Sequence, residues 1–164
     1  MKREESIKLL NRAVADELQA VHQYMYFHFH LDDQGLGPLA MQFRRTAIEE
    51  MGHIERIAER ILFLKGDVTL APAGPVESIT APEAMLKKAI QMEESSIVDY
   101  NNAALECAKL ADSVSKQLFE SLVADEERHY DGFEKQADNV ERFGQSYLAL
   151  QSFQQGGEDP NAAG

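Results

Sequence analysis

The stretch LNRAVADELQAVHQYM, residues 10–25, contains neither glycine nor proline, and its apolar residues Leu10, Val14, Leu18, Val21 and Met25 recur every three or four positions. That period belongs to an α-helix with one apolar stripe. Helix-compatible sequence extends outward from it, from Glu4 to Asp33, until Gln34-Gly35-Leu36-Gly37-Pro38 forces a turn. A second helical run is expected from Leu39 to Lys65, closed by Gly66, with Arg60 and Lys65 in its last turns where the helix dipole favours cations. Residues Asp67 to Ala81 carry Pro72, Gly74 and Pro75 without helical periodicity. A connection of about fifteen residues is long for a compact domain and could span roughly 50 Å, enough to run back along a neighbouring helix. Thr80 is the expected cap of a third helix, with Pro82 and Glu83 in its first turn, that reaches about Leu110. Asp112 is the expected cap of a fourth, Ser113 to Phe143, which stops at Gly144. Ser146 to Phe153 reads as one short amphipathic helix, and residues 157–164 as a frayed tail. The expected fold class is all-α: a four-helix bundle with a long crossover between helices 2 and 3 and a short fifth helix at the C-terminal end.

Composition narrows the functional classes. The 164 residues are 44% hydrophobic and 27% charged, ordinary for a folded globular domain. Sixteen basic against twenty-eight acidic residues give a formal charge of −12, which disfavours nucleic acid or an anionic membrane as partner and suits cations. The single Cys107 can form neither an intrachain disulfide nor a zinc ribbon. With no apolar leader behind Met1-Lys2-Arg3 and no run long enough to span a bilayer, a cytoplasmic location is expected.

Two segments repeat the pattern Glu-x-x-His: Glu50-Met51-Gly52-His53 on the second helix and Glu126-Glu127-Arg128-His129 on the fourth. Residues three apart share a helix face, so each pair can present a carboxylate and an imidazole to one point. One such pair means little in an acidic chain. Glu17, however, precedes Glu50 by 33 residues, and Glu93 precedes Glu126 by the same 33. The midpoints of both intervals fall at the expected turns, so each glutamate faces a Glu-x-x-His across its hairpin. Tyr24 follows Glu17 by seven residues and Tyr100 follows Glu93 by seven, which makes the halves look like internal duplicates. Four buried carboxylates with two neutral imidazoles carry four negative charges, and no Lys or Arg of these motifs is placed to neutralise them. Two divalent cations would, and this donor set suits iron, manganese or zinc. Tyr24 and Tyr100 are expected behind the carboxylates as hydrogen-bond partners. Glu49, Glu94 and Glu127 are neighbours of the paired glutamates, and the register of Glu17/Glu50 and Glu93/Glu126 selects against them as ligands. Met51 points more than a quarter turn away from the face of Glu50 and His53, which alone suggests packing at a subunit interface.

Over nearly the whole chain these residues resemble the bacterioferritins: Glu17, Tyr24, Glu50-Met51-Gly52-His53, Glu59-Arg60-Ile61-Leu62-Phe63-Leu64, Glu93 and Asp125-Glu126-Glu127-Arg128-His129. His22-Gln23-Tyr24-Met25 with Leu31-Asp32-Asp33 is most similar to members from anaerobic bacteria. The resemblance implies a ferritin-like di-iron domain over residues 1–156 and a homo-oligomer of twenty-four subunits built from twofold dimers. It implies a ferroxidase that oxidises ferrous iron with O2 or H2O2 and stores the ferric mineral, with a ferredoxin-type electron donor as a candidate partner. Glu17 and His53 would hold one of two irons per subunit, Glu93 and His129 the other, and Glu50 and Glu126 would bridge them. Met51 matches the axial ligand of a haem, or related iron porphyrin, shared between two subunits. The helix Ser146 to Phe153 resembles the one that lines fourfold contacts in such cages. Arg45 departs from members with a histidine there that binds iron on the inner surface, and Gly52 replaces a larger residue beside the haem methionine. Two other functions stay open: a rubrerythrin-like di-iron peroxide reductase, and a haem-binding oligomer without storage.

Overall fold

The computed structural model describes residues 3–153; the expected tail, 157–164, lies outside them. Five helices follow in order: α1 Arg3–Asp33, α2 Gly37–Phe63, α3 Pro82–Lys109, α4 Ser113–Phe143 and α5 Gln145–Phe153, with no strand among the described residues. α1 pairs with α2 and α3 with α4 as antiparallel hairpins, and the two hairpins close into a four-helix bundle.

Three helices end in the same way. After α1, the Leu36 N–H reaches the Leu31 carbonyl and the Gly35 N–H that of Asp32, both at 2.9 Å. After α3, Asp112 and Ala111 bond back to Cys107 and Ala108, and after α2, Gly66 and Lys65 bond back to Ile61 and Leu62. Each is a Schellman turn, which needs one residue in the left-handed region. Gly35 (φ 75°), Ala111 (φ 56°) and Lys65 (φ 65°) supply it. The second helix is therefore closed by Lys65, not by Gly66. Gly66 is small for a different reason: a Cβ there would lie 2.7 Å from Cγ2 of Ile7. Asp112 caps α4 by accepting from the Ser115 N–H at 3.2 Å. Thr80 does not cap α3. Ala81 occupies that position without a side-chain cap, and the Thr80 carbonyl instead accepts from Nε2 of Gln34.

The crossover, residues 64–81, runs the length of α1. Asn11 donates through Nδ2 to the Asp67 carbonyl and accepts the Thr69 N–H. One helical turn on, the Ala73 N–H reaches the Ala15 carbonyl. Gln23, fully buried, donates to the Glu77 carbonyl and accepts its N–H. An amide carries one donor and one acceptor end, so each of these side chains substitutes for a strand edge and satisfies extended backbone that could not otherwise pack on a helix. The crossover starts beside the N-terminal end of α1 and ends beside its C-terminal end, so α2 and α3 run parallel.

The apolar core forms two clusters, one on each side of a polar layer at mid-bundle. One contains Tyr24, Phe27, Leu31, Phe43, Leu86, Phe133 and, from α5, Leu148. The other contains Leu10, Val14, Ile57, Ile61, Leu64, Tyr100, Cys107 and Phe119. The buried face of α1 runs through Leu10, Ala13, Val14, Glu17, Ala20, Tyr24, Phe27 and Leu31. It shares Leu10 and Val14 with the stripe expected from periodicity and departs from it beyond Val14, where Leu18, Val21 and Met25 are only half-buried along its flank. The inward face carries a glutamate at its centre, so apolar periodicity alone follows the neighbouring line.

Candidate metal centre

The 33-residue register brings all six expected side chains into the layer between the clusters. Glu17, Glu50, Glu93 and Glu126 are at most 2% exposed, His53 is 4% and His129 is 5% exposed. Their ligand atoms form two overlapping groups, each within 4.8 Å of one another: Glu17, Glu50, His53 and Glu126, and Glu50, Glu93, Glu126 and His129. Glu50 and Glu126 belong to both. His53 Nδ1 lies 2.8 Å from Glu50, 3.2 Å from Glu17 and 3.2 Å from Glu126. His129 Nδ1 lies 3.3 Å from Glu50 and 3.7 Å from both Glu93 and Glu126. The rings stack with centroids 5.9 Å apart.

The tyrosines cross over between hairpins. Tyr100 on α3 donates to Oε1 of Glu17 at 2.7 Å, and Tyr24 on α1 donates to Oε1 of Glu93. Each fixes one carboxylate oxygen. Oε2 of Glu93, Oε2 of Glu50, Oε1 of Glu126 and Nδ1 of His129 are buried without a well-aligned hydrogen bond, although His53 Nδ1 crowds the Glu50 and Glu126 oxygens at 2.8 and 3.2 Å. Buried polar atoms are rarely left unpaired, because each costs about 1–3 kcal/mol, so four at one point mark a site shaped for something else.

Protonation shows the same frustration. Burial pushes the carboxyls of Glu17 and Glu93 well above the usual range; Glu50 adds to the shift at Glu17, and hydrogen bonds to His53 and His129 oppose it at the two carboxyls respectively. Burial alone would depress His53, yet hydrogen bonds to Glu126, Glu17 and Glu50 outweigh it and push the imidazole up to about 12. His129 is raised in the same way, with Glu126, Glu50 and Glu93 outweighing burial. Glu126, held by both imidazoles, is lowered despite its burial. Without cations, protons gather on the inward nitrogens to offset the carboxylates. Four carboxylates and two imidazoles at this spacing offer hard oxygen and borderline nitrogen donors to two divalent ions, and the donor set fits iron.

Sequence reasoning missed what stands behind the imidazoles. Glu49, excluded by the 33-residue register, places Oε2 2.8 Å from Nε2 of His129, and Asp125 places Oδ2 3.3 Å from Nε2 of His53. Arg128 joins the two acids, reaching Glu49 at 2.7 Å and Asp125 at 3.2 Å, while Arg56 approaches Asp125 at 3.3 Å. A carboxylate at Nε2 keeps a proton there and leaves Nδ1 facing the cluster with its lone pair for a metal. The signal for this pair was present: Glu17, Tyr24, Glu49, Glu50 and His53 recur 76 positions later as Glu93, Tyr100, Asp125, Glu126 and His129. Glu94 and Glu127 are exposed, outside the cluster. Met51 is 51% exposed on α2, facing away from the site, and a Cβ added at Gly52 would meet nothing within 4 Å.

Four helices that each send one carboxylate to a shared centre, two of them adding a histidine one turn later, define the ferritin-like class. A family model described as Ferritin-like domain matches residues 7–143. The bacterioferritin of Rhodobacter capsulatus is 40% identical over 145 residues, 88% of this chain and 89% of that one. That of Desulfovibrio desulfuricans is 36% identical over 143 residues, 87% and 80% of the two chains. A crystal structure of the D. desulfuricans protein, described with its diiron site in different catalytic states, superposes with a TM-score of 0.90 at 34% identity, covering 92% of this chain and 88% of that one. The R. capsulatus structure, described with a metal-free dinuclear site and a haem iron, gives 0.87 at 37% identity over 91% and 93%. The chain belongs to the bacterioferritin family.

Proposed function

We propose that the chain is an iron-storing ferroxidase that oxidises pairs of ferrous ions at the buried cluster. The observation that carries this reading is the ring of six buried ligand residues, four of whose ligand atoms have no well-aligned hydrogen bond. Glu17 and His53 hold one ferrous ion, Glu93 and His129 the other, and Glu50 and Glu126, which belong to both donor groups, bridge them. Two ferrous ions held at this one centre would together supply two electrons to one O2 or H2O2, which avoids one-electron products. The proton that each Nδ1 holds in the absence of iron would leave as iron binds. Tyr24 and Tyr100 hold one oxygen of Glu93 and Glu17 in place, so the second oxygen of each is oriented before iron binds.

Storage needs an assembly. The half-buried line Leu18, Val21 and Met25 on α1 and the exposed Met41, Ile48 and Met51 on α2 supply apolar surface that a lone subunit leaves wet. This supports a homo-oligomer, for which we propose the twenty-four-subunit cage of twofold dimers. Met51 would hold a haem, one thioether from each of two subunits. Neutral, soft ligation of that kind supplies one-electron transfer and favours the ferrous state. The proposed location is cytoplasmic. No helix among the described residues is long and apolar enough to cross a membrane.

The test is stopped-flow absorbance of ferrous iron oxidation with native mass and iron content. Wild-type protein is expected to oxidise two ferrous ions per subunit rapidly, assemble near twenty-four subunits and hold far more iron than two per subunit. Glu50→Ala is expected to assemble normally and lose the rapid phase. Unchanged oxidation in that variant would put the site elsewhere, and a dimer holding two irons would favour a peroxide reductase.

A further inference from the structure

A cavity of about 330 Å³ between α1 and α3 includes Glu50 and Glu93 of the buried cluster in its lining, together with Tyr24. It has room for several molecules the size of water. Its lining also includes Met92, the residue before Glu93 on α3, which is half-buried and packs against the cluster of Tyr24, Phe27 and Phe133. No other described methionine shares this lining: Met85 is fully buried, Met25 is half-buried on α1, and Met41 and Met51 are exposed on α2. Two oxidisable side chains, Tyr24 and Met92, therefore border a space that the metal centre shares. The Tyr24 hydroxyl is committed to Glu93, and a phenol gives up its electrons singly. A thioether instead takes an oxygen atom from a peroxide in one two-electron step.

We propose that Met92 is an oxidation site, its thioether converted to the sulfoxide by hydrogen peroxide in the cavity it shares with Glu50 and Glu93. This rests on the ferroxidase reading above, under which two electrons and two protons added to O2 yield one H2O2. The sulfur attacks one peroxide oxygen with an electron pair, the S–O bond forms as the O–O bond breaks, and the other oxygen leaves as water with both hydrogens. Sulfur loses two electrons, peroxide gains two, and no radical is formed. Access from solvent sets how fast a methionine reacts with peroxide added from outside, whereas nearness to the source sets it when peroxide arises at the centre. The product is a polar, chiral side chain in the cavity wall, in place of a flexible apolar one.

The test adds ferrous iron in air, two ions per subunit at a time, to assembled metal-free protein, with catalase in solution to destroy peroxide that escapes. Peptide mass spectrometry then reads the sulfoxide at each methionine. An iron-free sample treated with reagent H2O2, without catalase, gives each methionine's own susceptibility in the same assembly. Relative to that sample, sulfoxide at Met92 is expected to be enriched severalfold over Met41 and Met51 during ferrous oxidation, and the enrichment is expected to vanish in Glu50→Ala. Met92→Leu keeps an apolar side chain of similar volume and is expected to bind two Co(II) ions per subunit, as the wild type does. Rapid ferrous oxidation without enrichment at Met92, or enrichment that persists in Glu50→Ala, overturns the oxidation site while leaving the two-ion centre intact. Loss of a Co(II) ion in Met92→Leu overturns it as well, by making the thioether part of the metal site. Wild-type protein that shows no rapid ferrous oxidation overturns the ferroxidase reading and the oxidation site with it.

Discussion

The α1–α2 and α3–α4 hairpins carry the same chemistry 76 residues apart, yet they support it differently. In both, a glutamate, a tyrosine two turns later and a Glu-x-x-His reach the central layer. Behind the ligands the match loosens. His129 is backed by Glu49 at 2.8 Å and His53 by Asp125 at 3.3 Å. The arginine that links both acids stands at position 128, whereas its counterpart in the first hairpin is Gly52; Arg56 likewise has Gly132 as counterpart. The core diverges more. Phe27 and Phe133 of the aromatic cluster correspond to Ala103 and Ile57 in the aliphatic one. Ligand positions tolerate only residues with a donor atom at one depth, while packing positions tolerate any set of side chains that fills the volume. Duplication therefore shows through clearly at the site and faintly around it.

The hardest test of equivalence removes one imidazole at a time. His53→Ala and His129→Ala are each expected to lower tight Co(II) binding from two ions per subunit to one and to slow paired ferrous oxidation by roughly a hundredfold or more. Equal losses would make the two halves of the centre functionally equivalent. A variant that kept both ions would show that its histidine is not a ligand and that the halves are not equivalent.

A smaller effect separates the two supports. Glu49→Gln and Asp125→Asn keep shape but remove the charge that holds Nε2–H, and losses of about 10- to 100-fold in metal affinity are expected. Glu49 lies 0.5 Å closer to its imidazole, 2.8 against 3.3 Å, so its variant should lose more. Calorimetric titration with Co(II) gives both values, and the reverse order would show that the arginine bridge, not the separation, sets the support.

The helices, their order and the six central residues were legible in the sequence because each leaves a periodic or punctuated trace. Glu17 and Glu93 stood out only by register, since a lone glutamate in a helix is ordinary. Apolar periodicity carries the stripe from Leu10 and Val14 on through Leu18, Val21 and Met25, off the buried face, because hydrophobicity cannot report a buried glutamate. Asn11 and Gln23 gave no sign of holding the crossover, because nothing local marks an amide that pairs with backbone more than fifty residues away. Glu49 was set aside by a rule suited to ligands, and what stands behind a ligand follows a different geometry.

Acidity gives the third comparison. The unfolded imidazoles release protons near 6.5, while folded His53 retains its proton to about 12 and His129 is raised likewise. Glu17 and Glu93 are raised as well. Above pH 6.5 the metal-free folded protein therefore binds more protons than the unfolded chain, and its stability falls as pH rises. The lowered Glu126 acts in the opposite sense, but only below the ordinary carboxyl value of 4.5. Metal-free protein is expected to melt several degrees lower at pH 8 than at pH 6, with the drop reduced in His53→Ala and in His129→Ala, and Co(II) should stabilise more at pH 8. A melting temperature that rises over this interval in the metal-free protein would contradict the protonated imidazoles.

The smallest effect lies in the turns. Gly35 and Ala111 occupy the same left-handed position of the two hairpins, at φ 75° and 56°, 76 residues apart. A Cβ at that dihedral costs about 1–2 kcal/mol, and glycine avoids it at the expense of a more flexible unfolded chain. Nothing lies within 4 Å of a Cβ built at Gly35, so backbone conformation alone separates the two turns there. Ala111→Gly should therefore stabilise by roughly 0.5–1 kcal/mol and Gly35→Ala destabilise by about the same, with metal binding unaffected in both. Denaturant titration of the metal-free protein reads the two shifts directly. Opposite signs of similar size mean that the turns are interchangeable, and a loss at Ala111→Gly would mean that its methyl packs in a way the first hairpin does not reproduce.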